Sequence, residues 1–229
     1  MSEPLVLLPG MNCSSRLWDG LPTLRRWALH PRLGRPDIDG CVDALLDALP
    51  PRFALAGLSL GGIVAMALVR RAPERVTRLC LIATNARPPT TAQREAWAAQ
   101  RAALDAGRSA REVQRDLLDV LVHHRTPGCD ETVLALADGV GESDLMAQLL
   151  AQDTRVDERP ALARVAVPTL VLAAARDRIC PVDRHEEMHA LIPGSRLTVL
   201  DGIGHLIPVE APAAAAEALE DWLGWPVPA

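Results

Sequence analysis

Three residues far apart in this 229-residue chain have the types and settings that chemistry needs: Ser59, Asp177 and His205. Ser59 sits in "ALAGLSLGGIVAMAL", where Gly57, Gly61 and Gly62 crowd it between an apolar run of strand character and one of helix character. Glycine costs backbone entropy and packs nothing, so this spacing implies a turn too tight for neighbouring side chains. A serine between strand and helix forms a nucleophile elbow, with its hydroxyl on a strained turn and the free N–H groups of a helix start beside it. That hydroxyl needs a base to take its proton. Of six histidines, His205 in "DGIGHLIPVEAP" has the setting for it, on a glycine-flanked loop between the last predicted strand and the last helix; His30, His123 and His124 do not. Asp177 in "AAARDRICP" directly follows the preceding predicted strand and is the candidate to orient the histidine, with Asp201 as the alternative. Serine, then acid, then histidine is the chain order of one fold family, and together the three would carry acyl transfer through a covalent intermediate.

A second motif competes. "HEEMH", from His185 to His189, satisfies the H-E-x-x-H pattern that on a helix offers two histidines to zinc and Glu186 as general base. It lacks a third ligand, and the expectation is that the protein uses neither metal nor cofactor.

Composition narrows the classes further. The chain has no lysine, which excludes a Schiff-base lysine and the phosphate-binding lysine of a P-loop, and no tyrosine to act as acid or base. A net charge of −5 gives no basic footprint for nucleic acid. Cys13, Cys41, Cys80, Cys129 and Cys180 are scattered without a C-x-x-C pair, which favours a reducing compartment. The four-residue apolar run of "MSEPLVLLPG" is too short for a signal-peptide core, and no run approaches a membrane span. A cytoplasmic protein that binds neither nucleic acid nor membrane is expected.

The elements that must hold these residues follow from apolar periodicity. Short continuous apolar runs at Leu5–Leu8 and Phe53–Ala56 read as buried parallel strands, Val76–Ala83, "VPTLVLAAA" and "SRLTVL" as further strands, and "WALH" as a brief one. Helical patterns alternate with them, so the fold class is α/β with a mostly parallel central sheet of about six strands flanked by helices. Residues 88–164, rich in Ala, Arg and Leu, show no strand and read as a helical insertion between core segments 1–87 and 165–229.

With these residues in place the chain resembles the α/β-hydrolase fold superfamily, and within it small bacterial carboxylesterases of the kind that hydrolyse pimeloyl-carrier-protein methyl ester. The matching stretches are "GLSLGG", "RDRICP" against D-x-x-x-P, and "GHLIPVEAP" against G-H-x-x-x-x-E-x-P. The resemblance implies a catalytic triad of Ser59, Asp177 and His205, a helical cap over 88–164, and an oxyanion hole of two main-chain N–H groups. One of these is Leu60, after the serine. The other is Met11 in "LLPGMNCSS", where Pro9 replaces the family's usual histidine. Asn12 and Cys13 would then line the mouth of the site. The two antiparallel strands with which the family commonly begins are expected to be absent, and Ala174 stands where family members favour glycine. The implied reaction is hydrolysis of a carboxylic ester or thioester; lactonase, C–C hydrolase and perhydrolase chemistry stay open, as does a receptor role without turnover. Arginines recur every seven residues at 87, 94, 101, 108 and 115. Arg94 and Arg101 are therefore candidates to meet an anionic partner, an acyl carrier protein or a coenzyme A ester, weakened by salt.

Overall fold

In a computed structural model, residues 3–227 are described. Among them the sheet has five strands, in the order β1-β2-β3-β4-β5 and all parallel. β1 (Leu5–Leu8) leads through α1 (Pro22–Arg25) and α2 (Ile38–Ala48) to β2 (Phe53–Leu58), and α3 (Leu60–Arg71) leads to β3 (Val76–Ile82). The chain then leaves the sheet for α4 (Thr91–Asp105), α5 (Ala110–Asp116), α6 (Leu118–Leu121), α7 (Pro127–Asp138), α8 (Glu142–Thr154) and α9 (Arg159–Leu162). It returns as β4 (Thr169–Ala174), α10 (Val182–Leu191), β5 (Arg196–Leu200), α11 (Ile207–Glu210) and α12 (Pro212–Leu223).

Residues of β1 to β4 alternate between two cores, as the two-residue period of a strand dictates. Leu5, Leu7, Ala54, Ala56, Leu58, Cys80 and Ile82 face Trp18 and, from α12, Leu219 and Trp222. Val6, Leu8, Phe53, Leu55, Leu79 and Leu81 face α2, α3 and the Met188–Ile192 end of α10. Burial on both faces explains why these strands read as unbroken apolar runs. The expected strand in Trp27–His30 shrinks to a single parallel bridge, Leu29 to Val6 on the free edge of β1. Pro31 follows at once and has no N–H with which to extend a ladder, so the sheet closes at five strands rather than about six.

The helices between β3 and β4 start on strong local signals. Thr90 with Gln93, and Ser109 with Glu112, form capping boxes at α4 and α5, and Thr126 caps α7. They bury a small core of their own around Trp97, Val113, Leu145 and Leu149.

Two glycines fix where α3 begins. A Cβ on Gly57 would lie 2.3 Å from the Gly61 carbonyl oxygen, and one on Gly61 would lie 2.4 Å from the carbonyl oxygen of Leu8. Because both clashes are with backbone, no rotamer change relieves them. Gly57→Ala is expected to destabilise the fold by about 3 kcal/mol or more. Gly128→Ala in α7, where a Cβ meets nothing within 4 Å, should stay within about 0.5 kcal/mol of the parent. Urea midpoints of the two variants check this, and similar midpoints would refute the steric account.

Candidate active site

The three candidate residues leave three different strands at the same carboxyl edge of the sheet, where sites in open parallel sheets form. Ser59 links β2 directly to α3 with φ 54° and ψ −112°, a left-handed conformation that a non-glycine residue adopts only under constraint. Its N–H donates to Ile82 O at 2.9 Å, and Thr84 Oγ1 donates to Ser59 O at 2.8 Å. Asn12 (φ 55°) and Ala83 (φ 44°), in the loops after β1 and β3, are also left-handed, so the described positive-φ residues other than glycine all gather at this edge.

Asp177 and His205 meet directly. His205 Nδ1 lies 2.7 Å from Asp177 Oδ2, and both residues are buried. Asp177 Oδ1 accepts the N–H groups of Ile179 and Cys180 at 2.8 and 2.9 Å. Burial alone would push this carboxyl up, but the charge and hydrogen bond of His205 with the two N–H donors outweigh it and hold Asp177 below the ordinary carboxylate range. The alternative, Asp201, is exposed. His205 and Ser59 border one cavity of about 190 Å³, together with Met11, Cys13, Trp97 and Arg155. That volume is below the ~300 Å³ of the smaller drug-sized sites, so it suits a short acyl group.

The N–H groups of Met11 and Leu60 find no acceptor among the described residues. Cys13 lines the cavity, but Asn12 does not. Expected at the mouth, Asn12 instead lies behind it, 1 % exposed. Its N–H donates to Gln148 Oε1 at 2.8 Å, and its Nδ2 donates to Ala110 O and Gln114 Oε1 at 2.9 Å each. Its left-handed backbone turns the side chain toward α5 and its N–H toward α8.

Arg94 and Arg101 both reach Asp153 of α8, at 3.3 and 2.9 Å, and neither lines the cavity. Arg87 is taken by Glu187 and Arg108 by Asp116. The seven-residue arginine repeat thus meets acids of this chain at four of its five positions.

The histidines of "HEEMH" lie on α10 but serve protein groups. His185 is fully buried; its Nε2 accepts the Thr84 N–H at 3.1 Å, while Nδ1 faces Pro181 O at 3.3 Å. His189 Nδ1 meets Ser195 Oγ at 2.8 Å. His185 therefore braces the loop that also holds Ser59, a role for which the motif gave no signal. Cys180 approaches Asp177 and His205, all three offering ligand atoms within 4.8 Å of one another. Burial pushes its thiol up to about 12.

Glu210 is a further residue whose task was hidden. Its Oε1 accepts the Gly204 N–H at 2.9 Å, and its Oε2 accepts those of His123 and His124 at 2.8 and 3.1 Å. It ties the His205 loop to the end of α6, where Leu121 O accepts the His205 N–H at 3.0 Å. The Glu of "GHLIPVEAP" marked this position without saying what it binds.

Comparison with known proteins agrees with this architecture. The chain is 30% identical over 251 residues to pimeloyl-[acyl-carrier protein] methyl ester esterase of Aromatoleum aromaticum, covering 96% of this chain and 98% of that one. It is also 30% identical over 177 residues to the enzyme of that name from Neisseria meningitidis serogroup C, covering 74% of this chain and 68% of the relative. A solved thermophilic esterase from Thermogutta terrifontis superposes with a TM-score of 0.87 at 24% identity, covering 96% of this chain and 89% of that one, and shows the same fold. No helix among the described residues is long and apolar enough to cross a membrane. With the profile described as "Alpha/beta hydrolase family" matching residues 5–218, the chain belongs to the alpha/beta hydrolase family.

Proposed function

We propose that the protein is a serine hydrolase that cleaves a carboxylic ester or thioester through an acyl-enzyme, with Ser59 as nucleophile, His205 as base and Asp177 as its orienting acid. The observation that carries this reading is the buried 2.7 Å contact of His205 Nδ1 with Asp177 Oδ2 at the cavity that Ser59 borders. That pairing leaves Nε2 as the ring nitrogen free to take the Ser59 proton while Oγ attacks the carbonyl carbon. The N–H groups of Met11 and Leu60 receive the oxyanion, each contributing about 3 to 4 kcal/mol to the tetrahedral state. His205 then gives the proton to the leaving alcohol or thiol, and water repeats the sequence on the acyl-enzyme.

Segment 88–164 acts as the cap over a core of 1–87 and 165–229. In support, Trp97, Gln114, Leu117 and Gln152 come from that segment to line the cavity that Ser59 borders. The names of the relatives support an acyl-carrier-protein form of the substrate; it, or a coenzyme A ester, would meet the half-exposed Arg94 and its neighbour Arg101. The free cysteines support a cytoplasmic setting.

Ser59→Ala should lower kcat by about four orders of magnitude or more on a short-chain ester while keeping the parental melting temperature. Parental turnover in that variant would refute the nucleophile. Asp177→Asn should cost about 10⁴-fold in kcat, because the amide favours the wrong histidine tautomer; near-parental rates would remove Asp177 from the role.

The pH profile follows from the sign of the Asp177 shift. A carboxyl held low stays ionised through mild acid, and its contribution to stability is present above the ordinary carboxylate range and lost only as pH falls below it. The acid limb of kcat/KM should therefore carry no carboxylate step from Asp177 in mild acid. A profile flat down to about pH 4, the ordinary carboxylate range, would contradict a histidine base.

A further inference from the structure

The cavity beside Ser59 has no carboxylate on its wall among the described residues, yet it has a guanidinium. Arg155, the residue that ends α8, is 6 % exposed. Its Nη1 donates to Gln152 Oε1 and its Nη2 to Gln93 Oε1, each at 3.1 Å, and the group lies 5.4 Å from the centre of the Trp97 ring. Gln93, Trp97 and Gln152 all line the cavity, which sets the guanidinium on its wall. Nε is buried with no partner at all. Gln100 Oε1 and Gln114 Nε2, on the same wall, are also without partners.

The neighbouring arginines are neutralised within the protein: Arg70 by Glu158, Arg94 and Arg101 by Asp153. Arg155 has only amide oxygens and an aromatic face, and Arg94 adds repulsion. Burial pulls its guanidinium down from the ordinary range, the mark of a cation taken out of water without a counter-charge. Such a group is stabilised by any anion that enters the cavity. With only two of its five N–H groups engaged, the guanidinium keeps donors for a planar, two-oxygen acceptor. Apolar walls from Met11, Ile63, Trp97, Leu117 and Leu121 suit a short hydrocarbon between that acceptor and the reacting carbon.

We propose that Arg155 receives a carboxylate carried by the substrate itself, so that the ester cleaved at Ser59 belongs to a molecule with a second, ionised acid group. This rests on the reading of Ser59, Asp177 and His205 as an ester hydrolase, and it names the substrate class for that site. The carboxylate lies either on the acyl side, in a hemiester of a short dicarboxylic acid, or on the alcohol side, in an acyl ester of a hydroxy acid.

The test uses the full chain and two substrate series. Monomethyl esters of succinic, glutaric and adipic acid carry the charge on the acyl side, and acetyl esters of glycolic and 3-hydroxypropanoic acid carry it on the alcohol side. Each is paired with its carboxamide isostere, and kcat/KM is followed by acid release. In one series the charged substrate should exceed its isostere by tenfold or more, and the series that does so identifies the side. Arg155→Met should reduce that ratio at least tenfold, while Arg155→Lys keeps part of it. A parental ratio near one in both series overturns the assignment, whether or not Arg155→Met folds; so does an unchanged ratio in folded Arg155→Met. Turnover of neutral esters without preference for charge sinks the Arg155 assignment alone and leaves the hydrolase reading standing. Failure to turn over any ester in a Ser59-dependent way sinks both.

Discussion

Backbone passes so close to backbone at the start of α3 that no side chain fits between, and the geometry of the site descends from that contact. The Gly61 carbonyl sits where a Gly57 Cβ would be, and the Leu8 carbonyl where a Gly61 Cβ would be. The helix start is thereby locked over the carboxyl ends of β1 and β2, and Ser59 has no relaxed conformation left to it. Left-handed backbone at Asn12, Ser59 and Ala83 costs on the order of 1 to 3 kcal/mol at each position. Strands buried on both faces supply the rigidity that sustains it. Strain and rigidity sit together because only a scaffold that cannot relax can hold a turn in this form.

What could be read from the sequence follows the range of the interactions. The Ser59 turn was legible because every close approach there selects glycine, whether its partner is local, as Gly61 is to Gly57, or distant, as Leu8 is to Gly61. Strands β1 to β4 were legible because burial on both faces writes an apolar run, and the one overestimated, at Trp27–His30, has a proline behind it. Asp177 and His205 could be placed at strand ends, but their 2.7 Å contact spans 28 residues and depends on two loops closing together. The tasks of Asn12, His185 and Glu210 were illegible for a further reason. Each binds main-chain N–H or C=O groups, or amide side chains, of distant segments, and such groups leave no mark on residue type.

Arg155 exposes the limit of reading charge from spacing. The seven-residue arginine repeat drew attention to the outer face of α4, where Asp153 answers Arg94 and Arg101. Arg155 lies outside that repeat, in a segment of mixed charge, and its burial becomes visible only when α4 and α8 pack and bring Gln93, Trp97 and Gln152 around it. A surface ion pair is worth about 0 to 1 kcal/mol, whereas a buried ion without a partner costs several. The isolated guanidinium is therefore the stronger indication of a ligand, although the stripe is the more conspicuous pattern.

The loops that carry the reacting groups also fasten the helical segment above them. Asn12, next to the Met11 N–H, is bonded to α5 and α8, and the His205 loop is bonded through its own N–H to Leu121 and through Glu210 to His123 and His124. A shift of these helices relative to the sheet would drag on both loops at once, changing the position of the His205 imidazole and of the Met11 N–H together. The cavity wall that these helices supply is thus coupled to the Met11 and His205 loops by hydrogen bonds rather than by contact alone. Filling the cavity with a substrate that satisfies Arg155 and the unpartnered amides would stiffen the same helices from within. Binding energy gained far from the scissile bond would then reach the reacting atoms as better positioning, which is how remote contacts raise the rate of a chemical step.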